Sequence, residues 1–316
     1  MTAYDKVTIV GAGLLGHALG LVHALGGCNV VLQDISEERL AWAKNRLPAL
    51  LDDLVAYGLV ETETAEAALS RIGTNADLRE AVADADLVVE AIIEDAEAKQ
   101  RLYSDLEPML HEGAVLASNT SFLDVFPLVP RSLRPRSLIV HWYTPPYLID
   151  LVDVVPSPEA GQEVANKMVG FLRDIGKKPV LLKKFVPGYI ANNIQMAIES
   201  EVFRLLDEGV AEISDIDDAL RFGLSQRLSL MGQFKKIDYT GLQVVRDIHA
   251  TGLYTPPRKP TGTPVLDERL ARGSSGVMAG SGFYDYGDTD AQELFRRRDS
   301  KLARLKLLLS EFEDDL

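Results

Sequence analysis

The sequence predicts an α/β fold, with a doubly wound parallel sheet in residues 1–185 followed by an all-α domain in residues 186–316. Short β-branched runs alternate with amphipathic segments from residue 6 to about 182, a pattern typical of a parallel sheet covered by helices. After Val186-Pro187-Gly188 the strand signals nearly vanish and helical periodicity takes over. This change of pattern predicts the domain boundary.

The predicted elements follow one another regularly through the first domain. Runs rich in valine, isoleucine and leucine predict strands at 7–10, 29–32, 87–93, 114–117, 138–141, 151–155 and 179–182. Near-helical spacing of apolar residues predicts helices at 14–26, 36–57, 62–70, 76–83, 96–109 and 158–174. In the second domain, helices are expected at 189–208, 213–222 and 239–250, then a Pro/Gly-rich stretch at 251–264 and a helix starting near Arg296.

Composition and charge exclude several classes of function. A net charge of -14 argues against nucleic acid and anionic membranes as partners, because both require a basic surface that displaces counterions. The single cysteine, Cys28, cannot form an internal disulfide, and no secretory leader or membrane-spanning apolar run is found. The five histidines form no metal-ligand set with suitable spacing. We therefore expect a cytoplasmic protein that acts on small molecules without a metal.

A glycine-rich loop joins the first predicted strand to the first helix. Its glycine spacing is that of a Rossmann-type dinucleotide site, and its residues are Gly11, Ala12, Gly13, Leu14, Leu15 and Gly16. Asp34 ends the second strand, where a carboxylate accepts the hydroxyls of the adenosine ribose. Asp34 would repel a 2′-phosphate, and the next four residues, 35–38, offer no cation for one. The loop alone would also admit FAD, but the sequence lacks further flavin contacts, so NAD is the predicted cofactor.

Polar residues follow later strands, where a parallel sheet binds its ligands. Glu94 and Lys99 lie beyond the third predicted strand, and Asn119 and Ser121 follow the fourth. Capping of the next helices is the alternative role for such residues.

His141 ends a further strand and offers the chemistry of proton transfer. The chain reverses at Pro145-Pro146, and the returning strand brings Asp153 roughly opposite the imidazole. A histidine beside a carboxylate that fixes its tautomer is a proton-transfer pair, since imidazole exchanges protons near neutral pH. A core histidine with satisfied hydrogen bonds is the alternative interpretation.

The order of these motifs resembles the 3-hydroxyacyl-CoA dehydrogenase family, including its branch with L-gulonate 3-dehydrogenase and lambda-crystallin. The resemblance extends from about residue 6 to 286 and comprises GAGLLG, VVEAIIED with Lys99, ASNTS, HWYTPPYLIDLVDVV, VPGYIANN and GSGFYDY. It implies oxidation of an L-3-hydroxyl group with NAD, and a homodimer formed through the C-terminal domain, in which helices 189–208 and 239–250 pack across a two-fold axis.

The resemblance also assigns roles to residues. His141 would be the general base and Asp153 would orient it. Ser121 and Asn192 would bind the substrate. The residues expected on the cofactor side are Gly11, Gly13, Leu14, Leu15, Gly16, Asp34, Glu94, Lys99 and Asn119.

Two departures from the family pattern affect the pocket. The family usually has glutamate where this chain has Asp153, and the missing methylene shortens the reach by about 1.5 Å. Either the strands approach more closely here or a water bridges the pair. The family also tends to have asparagine at the position of Thr144.

The charge pattern favours a small hydroxy acid over an acyl-CoA thioester. Residues 36–71 carry four basic side chains against seven acidic ones, which is a poor surface for the phosphates of coenzyme A. Arg227 is the only charged residue in the run 224–230 and could bind a carboxylate bidentately, with a surface or interface salt bridge as the alternative. A catalytically idle, crystallin-like NAD(H)-binding protein is the alternative function. The lysine-dependent β-hydroxyacid dehydrogenases are disfavoured, because Gly188 stands where they carry lysine.

Overall fold

A computed structural model describes residues 3–256 and 263–312. The chain divides into two compact units, Met1–Tyr189 and Ile190–Leu316. The boundary predicted between residues 185 and 186 lies slightly before the observed boundary between Tyr189 and Ile190. Part of the Pro/Gly-rich stretch expected at 251–264, residues 257–262, lies outside the described residues.

The first unit is built on one sheet, and this confirms the predicted α/β fold class. Within the described residues the sheet has eight strands in the order β3-β2-β1-β4-β5-β6-β7-β8. Their bounds are β1 Lys6–Val10, β2 Asn29–Gln33, β3 Ile72–Asn75, β4 Leu87–Glu90, β5 Val115–Ser118, β6 Ser137–Trp142, β7 Leu151–Pro156 and β8 Lys178–Leu181. Neighbouring strands are parallel except β6 and β7, which pair antiparallel. The order reverses between β1 and β4, and ligands of such sheets bind at that switch point.

Helices cover both faces of the sheet in the order expected for alternating α and β elements. They are α1 Gly16–Leu25, α2 Glu37–Ala56, α3 Thr62–Ser70, α4 Leu78–Val82, α5 Ala96–Leu106 and α6 Gln162–Asp174. The central strands are buried along their length, as the near-continuous apolar runs require. One core cluster lies between β4–β6, α5 and the segment 123–133, directly beneath the polar residues that end those strands.

Two strand predictions were wrong. Strand β3 was missed because Ile72-Gly73-Thr74-Asn75 is a half-exposed edge strand that carries little of the apolar signal of a buried one. The strand predicted at 87–93 ends at Glu90, because the Glu90 carboxylate accepts the amide of Ile92 and turns the chain away from the sheet.

The second unit is helical among the described residues, as predicted. Its helices are α7 Ala191–Asp207, α8 Ile213–Asp218, α9 Gln226–Thr240, α10 Leu242–Ala250, α11 Pro264–Ala271 and α12 Ala291–Ser310, with a π-helical segment at Ala219–Ser225. Helix α9 was not predicted, since Gly232 interrupts it with a φ of +70°. Helix α11 was also missed. Among the described residues no helix is both long and apolar enough to cross a membrane.

Candidate active site

The glycine-rich loop connects β1 to α1 with glycine where the backbone demands it. At Gly11 φ is +100°, and a Cβ there would lie 2.7 Å from the carbonyl oxygen of Ala91. A Cβ on Gly16 would lie 1.7 Å from the carbonyl oxygen of Gly11. A Cβ on Gly13, by contrast, would meet no described protein atom within 4 Å. Gly11 and Gly16 therefore hold the turn, while Gly13 leaves open the side from which a pyrophosphate can approach.

The start of α1 is suited to bind an anion. Its N-cap residue, Leu15, makes no side-chain capping bond, and the first turn carries no acidic residue. The first N–H groups of a helix lack intrahelical acceptors and form a positive end, so phosphate oxygens fit there. Leu14, on the same loop, is 80% exposed. This cradle fits the pyrophosphate of NAD.

Asp34 ties the end of β2 to the glycine loop. Its Oδ2 accepts the amide of Ala12 at 3.0 Å, and its Oδ1 accepts the amide of Ser36 at 3.0 Å. Each carboxylate oxygen has more than one lone pair, so Asp34 can also accept ribose hydroxyls. The expectation concerned residues 35–38, which offer no cation, but the next residue does: Arg39 Nη1 is 3.7 Å from Asp34 Oδ2. The first turn of α2 brings Arg39 back to the carboxylate because the helix begins at Glu37, with Ser36 as its N-cap.

Two exposed isoleucines at this edge of the sheet were not singled out from the sequence. Ile35 follows β2 and is 93% exposed, and Ile93 follows β4 and is 68% exposed. Both stand just past the carboxyl ends of strands beside the switch point, where an adenine ring needs apolar walls. Their position directly after Asp34 and before Glu94 is the sequence signal that could have identified them.

A buried ionic network centres on Glu90, the last residue of β4, and this residue was also missed. Glu90 Oε1 accepts Lys99 Nζ at 2.7 Å, and Oε2 accepts the hydroxyls of Tyr103 at 2.7 Å and Ser118 at 2.6 Å. Burial and the neighbouring Glu90 raise the pKa of Tyr103 well above its ordinary value. Lys99 and Tyr103 are four residues apart on one face of α5, a spacing that could have revealed a buried partner. The network joins β4, β5 and α5 beneath the site.

Glu94 links this network to the loop that carries Ser121. Its Oε2 lies 3.3 Å from Lys99 Nζ, while its Oε1 accepts the Thr120 hydroxyl and the amides of Ser121 and Phe122. Burial alone would raise the pKa of Glu94, but these hydrogen bonds and the Lys99 ammonium outweigh it and lower the pKa. Lys99 itself is only 1% exposed. The structure thus places Glu94 and Lys99 together under the edge of the sheet, where they hold the loop in position.

His141 and Asp153 stand directly opposite each other in the antiparallel pair of β6 and β7. The imidazole Nδ1 lies 3.3 Å from Asp153 Oδ2, so the shorter acidic side chain reaches the histidine without a bridging water. A carboxylate only accepts, and therefore Nδ1 carries the proton and Nε2 is the free base. Nε2 lies 3.2 Å from the hydroxyl of Ser121. The structure brings Ser121, His141 and Asp153 into one hydrogen-bonded row.

Two tyrosines enclose the imidazole, and neither was predicted. The ring of Tyr143 meets the His141 ring edge-on with centroids 4.7 Å apart, and the Tyr189 ring lies at 4.7 Å with a 38° tilt. The Tyr189 hydroxyl donates to the carbonyl of Thr120 at 2.6 Å, and burial raises the pKa of Tyr189. Tyr143 follows His141 by two residues, just past the end of β6, and this spacing alone does not mark it as a site residue.

Three further predicted site residues are Asn119 in the first unit and Asn192 and Arg227 in the second unit. The side-chain oxygen of Asn119 accepts the amide of Trp142 at 2.9 Å, which joins the end of β5 to the residue after His141. Asn192 lies in the first turn of α7. Arg227, at the start of α9, donates from Nε to the carbonyl of Gly223 and has no ion pair among the described residues.

The arrangement can transfer a proton next to a bound dinucleotide. Nε2 of His141 points toward Ser121 at the carboxyl edge of the sheet, the same edge that carries the glycine loop and Asp34. A hydroxyl group placed between Ser121 and Nε2 would lie within reach of both. No group of histidine, cysteine, aspartate and glutamate side chains suitable for a metal ion is found in the described ranges.

Comparison with protein-family models covers most of the chain. Residues 6–185 match the model described as 3-hydroxyacyl-CoA dehydrogenase, NAD binding domain, and residues 188–286 match the model described as 3-hydroxyacyl-CoA dehydrogenase, C-terminal domain. Mitochondrial hydroxyacyl-coenzyme A dehydrogenase from Sus scrofa is 33% identical over 290 residues, which cover 89% of this chain and 90% of that protein.

A second dehydrogenase matches over nearly the whole chain. The 5-formyl-3-hydroxy-2-methylpyridine 4-carboxylate 5-dehydrogenase of Mesorhizobium japonicum is 24% identical over 305 residues, covering 96% of this chain and 98% of that protein. A crystal structure of an enzyme of that activity, described as an NAD+-dependent dismutase, superposes with a TM-score of 0.87 at 24% identity, covering 98% and 99% of the two chains. The structural match establishes a shared fold.

Proposed function

The chain belongs to the 3-hydroxyacyl-CoA dehydrogenase family and is an NAD-dependent oxidoreductase acting on CH–OH groups, and on this premise we propose that it oxidises the L-3-hydroxyl of a small 3-hydroxy acid to the 3-oxo acid. The observation that carries this proposal is the row formed by Ser121, His141 and Asp153. It presents a free imidazole nitrogen at the edge of the sheet where the cofactor cradle lies.

In the proposed mechanism the cofactor, when bound, accepts the hydride from the carbon that bears the hydroxyl. Ser121 holds the substrate oxygen, and His141 Nε2 takes the hydroxyl proton as the C–H bond breaks. The imidazolium that forms is stabilised by the Asp153 carboxylate, which is 1% exposed and therefore interacts through little water. In the reverse direction the same imidazolium returns the proton to the 3-oxo group.

A small free acid is preferred over an acyl-CoA thioester in this proposal. The basic residues of segment 36–71 are few and partly engaged: Arg39 lies beside Asp34, and the Arg46 guanidinium stacks over Trp42 at 5.1 Å. They leave a net-acidic surface that would repel the phosphates of coenzyme A. The Mesorhizobium relative is named for a pyridine carboxylate, which supports acceptance of a small acid by this fold. Arg227 is our candidate for the cation that binds the carboxylate.

The proposed assembly is a cytoplasmic homodimer formed by the second unit. Residues of α7 to α10, all within the described ranges, include none that is fully buried in the single chain. Ile194, Val244 and Ile248 expose large apolar side chains on these helices. Such a surface is typical of an interface between identical chains. Analytical ultracentrifugation tests the proposal, and a monomer at micromolar concentration would contradict it.

His141→Ala tests the proposed reaction. We expect a rate lower by about 10²–10⁴, the usual contribution of a general base, with unchanged NADH binding measured by fluorescence. His111→Ala is the matched control, since His111 is exposed on a turn after α5 and lies outside the site. The assay compares L-3-hydroxybutyrate and other 3-hydroxy acids with L-3-hydroxybutyryl-CoA. Near-normal turnover by His141→Ala would refute the base assignment. Binding of NADH by the unmodified protein without turnover of any probe would favour the idle, crystallin-like alternative.

A further inference from the structure

Asp153 holds His141 through a carboxylate that is itself weakly fixed. The Nδ1–Oδ2 separation of 3.3 Å is longer than a usual N–H···O bond. The other carboxylate oxygen, Oδ1, is buried and has no hydrogen-bond partner among the residues that the structure describes. The terminal torsion of an aspartate is broad, so rotation of the carboxylate costs little unless a neighbour opposes it. The bond to His141 therefore needs a second contact to keep Oδ2 in place.

Tyr143 provides that contact. Its hydroxyl donates to Asp153 Oδ2 at 2.7 Å, which is 0.6 Å shorter than the separation of the same oxygen from His141 Nδ1 at 3.3 Å. Both donors face the same ionised oxygen, and only the tyrosine bond has the usual length of a strong hydrogen bond, so this is the bond that fixes the carboxylate. Tyr143 is partly buried, and its ring rests against the imidazole, which restricts the hydroxyl to the same side of β6 as His141.

We propose that Tyr143 is a positioning residue for the proton-transfer step, which fixes the Asp153 carboxylate by its hydroxyl and thereby holds His141 in the orientation that presents Nε2 to the substrate. This inference rests on the proposed function, because it assigns Tyr143 to the support of a general base. It adds a third member to the pair, because the tyrosine hydroxyl and the imidazole contact the same carboxylate oxygen of Asp153.

Tyr143→Phe keeps the ring and removes the hydroxyl. We expect kcat to fall about 10- to 100-fold, the effect of losing one hydrogen bond to a charged group, while the KM for NAD stays unchanged. In an Asp153→Asn background the same substitution should cost little further, because the hydroxyl acts through the carboxylate. Tyr254→Phe, at an exposed position of the second unit, is the matched control and should leave kcat unchanged. Equal losses in both backgrounds would overturn the proposal.

The variant Asp153→Glu provides a rescue test. The additional methylene lengthens the reach of the carboxylate, so Tyr143→Phe should lower kcat less in this background than in the unmodified protein. A loss as large as in the unmodified protein would contradict a positioning role. All variants are compared by kcat per folded enzyme, and circular dichroism checks that each variant is folded. A merely structural role for Tyr143 would lower the stability of Tyr143→Phe and leave its kcat unaltered.

A spectroscopic measurement separates this inference from the proposed function. The imidazole nitrogen resonances of His141, identified by their loss in His141→Gln, report the hydrogen bond at Nδ1 without any turnover. We expect them to move in Tyr143→Phe, and unchanged resonances would overturn the positioning role even if catalysis by His141 were confirmed. If the resonances move but His141→Ala retains turnover, the general-base proposal fails and Tyr143 orients a histidine without a role in proton transfer.

Discussion

Acid should destabilise the first unit through His23, a histidine of α1 that is not a member of the proton-transfer row. It is 1% exposed and packs against Trp142 and Phe171, with ring centroids 5.4 and 5.9 Å away. Burial lowers its pKa to about 4, and the charge of Lys177 adds to the effect, whereas the bond between Nδ1 and the carbonyl of Leu19 opposes it. His23 is thus neutral in the folded protein.

The magnitude follows from the difference between the folded and unfolded states. The unfolded imidazole binds a proton near pH 6.5 and the folded one near pH 4, so acidification favours the unfolded state. The stability that neutral burial provides is complete above about pH 6.5 and decreases as the pH falls toward 4. The loss reaches about 2 kcal/mol at about pH 5 and approaches about 3 kcal/mol at lower pH.

Urea unfolding followed by tryptophan fluorescence measures this loss. Both tryptophans of the chain, Trp42 and Trp142, lie in the first unit, so the signal reports that unit. His23→Gln cannot titrate in this range, and we expect its unfolding free energy to vary less between pH 7 and pH 5, by about 2 kcal/mol. His111→Gln, at an exposed turn, is the control and should behave as the unmodified protein does. An identical pH dependence in His23→Gln and the unmodified protein would refute the reasoning.

Three further substitutions test the site. Arg227→Ala should raise the KM of a free acid about 10- to 100-fold and that of a thioester less, and equal effects on both would remove the carboxylate role. Asp34→Ser should lower the KM for NADP about 10-fold or more, because Arg39 is then free to meet a 2′-phosphate, and the double variant Asp34→Ser/Arg39→Ala should lose that gain. Lys99→Met should lower the unfolding free energy by about 3–5 kcal/mol in urea, since it leaves the buried Glu90 carboxylate without its cation. If Lys99→Met lowered the unfolding free energy no more than the exposed control Lys6→Met does, the buried pair of Lys99 and Glu90 would not be required for stability.

The sequence identified those parts of the molecule that local chain geometry determines. The glycine loop was predictable because Gly11 and Gly16 have no room for a Cβ. The register of His141 with Asp153 was predictable because a turn at Pro145-Pro146 returns the chain beside itself. The all-α character of the second unit followed from apolar periodicity alone.

The parts that were missed depend on side chains meeting across different elements. Arg39 returns to Asp34 only because α2 begins at Glu37, and a run of charged residues does not reveal that turn. Glu90 lay inside the strand predicted at 87–93, and its partners Lys99 and Ser118 lie on other elements. Tyr143 was hidden for a similar reason, since its significance appears only once the position of the opposing carboxylate is known.

The antiparallel pairing of β6 and β7 limits which insertions and deletions the chain can tolerate near the proposed base. The proposed base and its carboxylate belong to one short hairpin-like ribbon, twelve residues apart, within a sheet whose other described neighbours run parallel. A slip of one residue between these strands would turn Asp153 to the opposite face and abolish the pair completely. Insertions of even a single residue in the turn 143–150 should therefore be selected against far more strongly than changes of its side chains, and engineering of the pocket should vary those side chains at constant length.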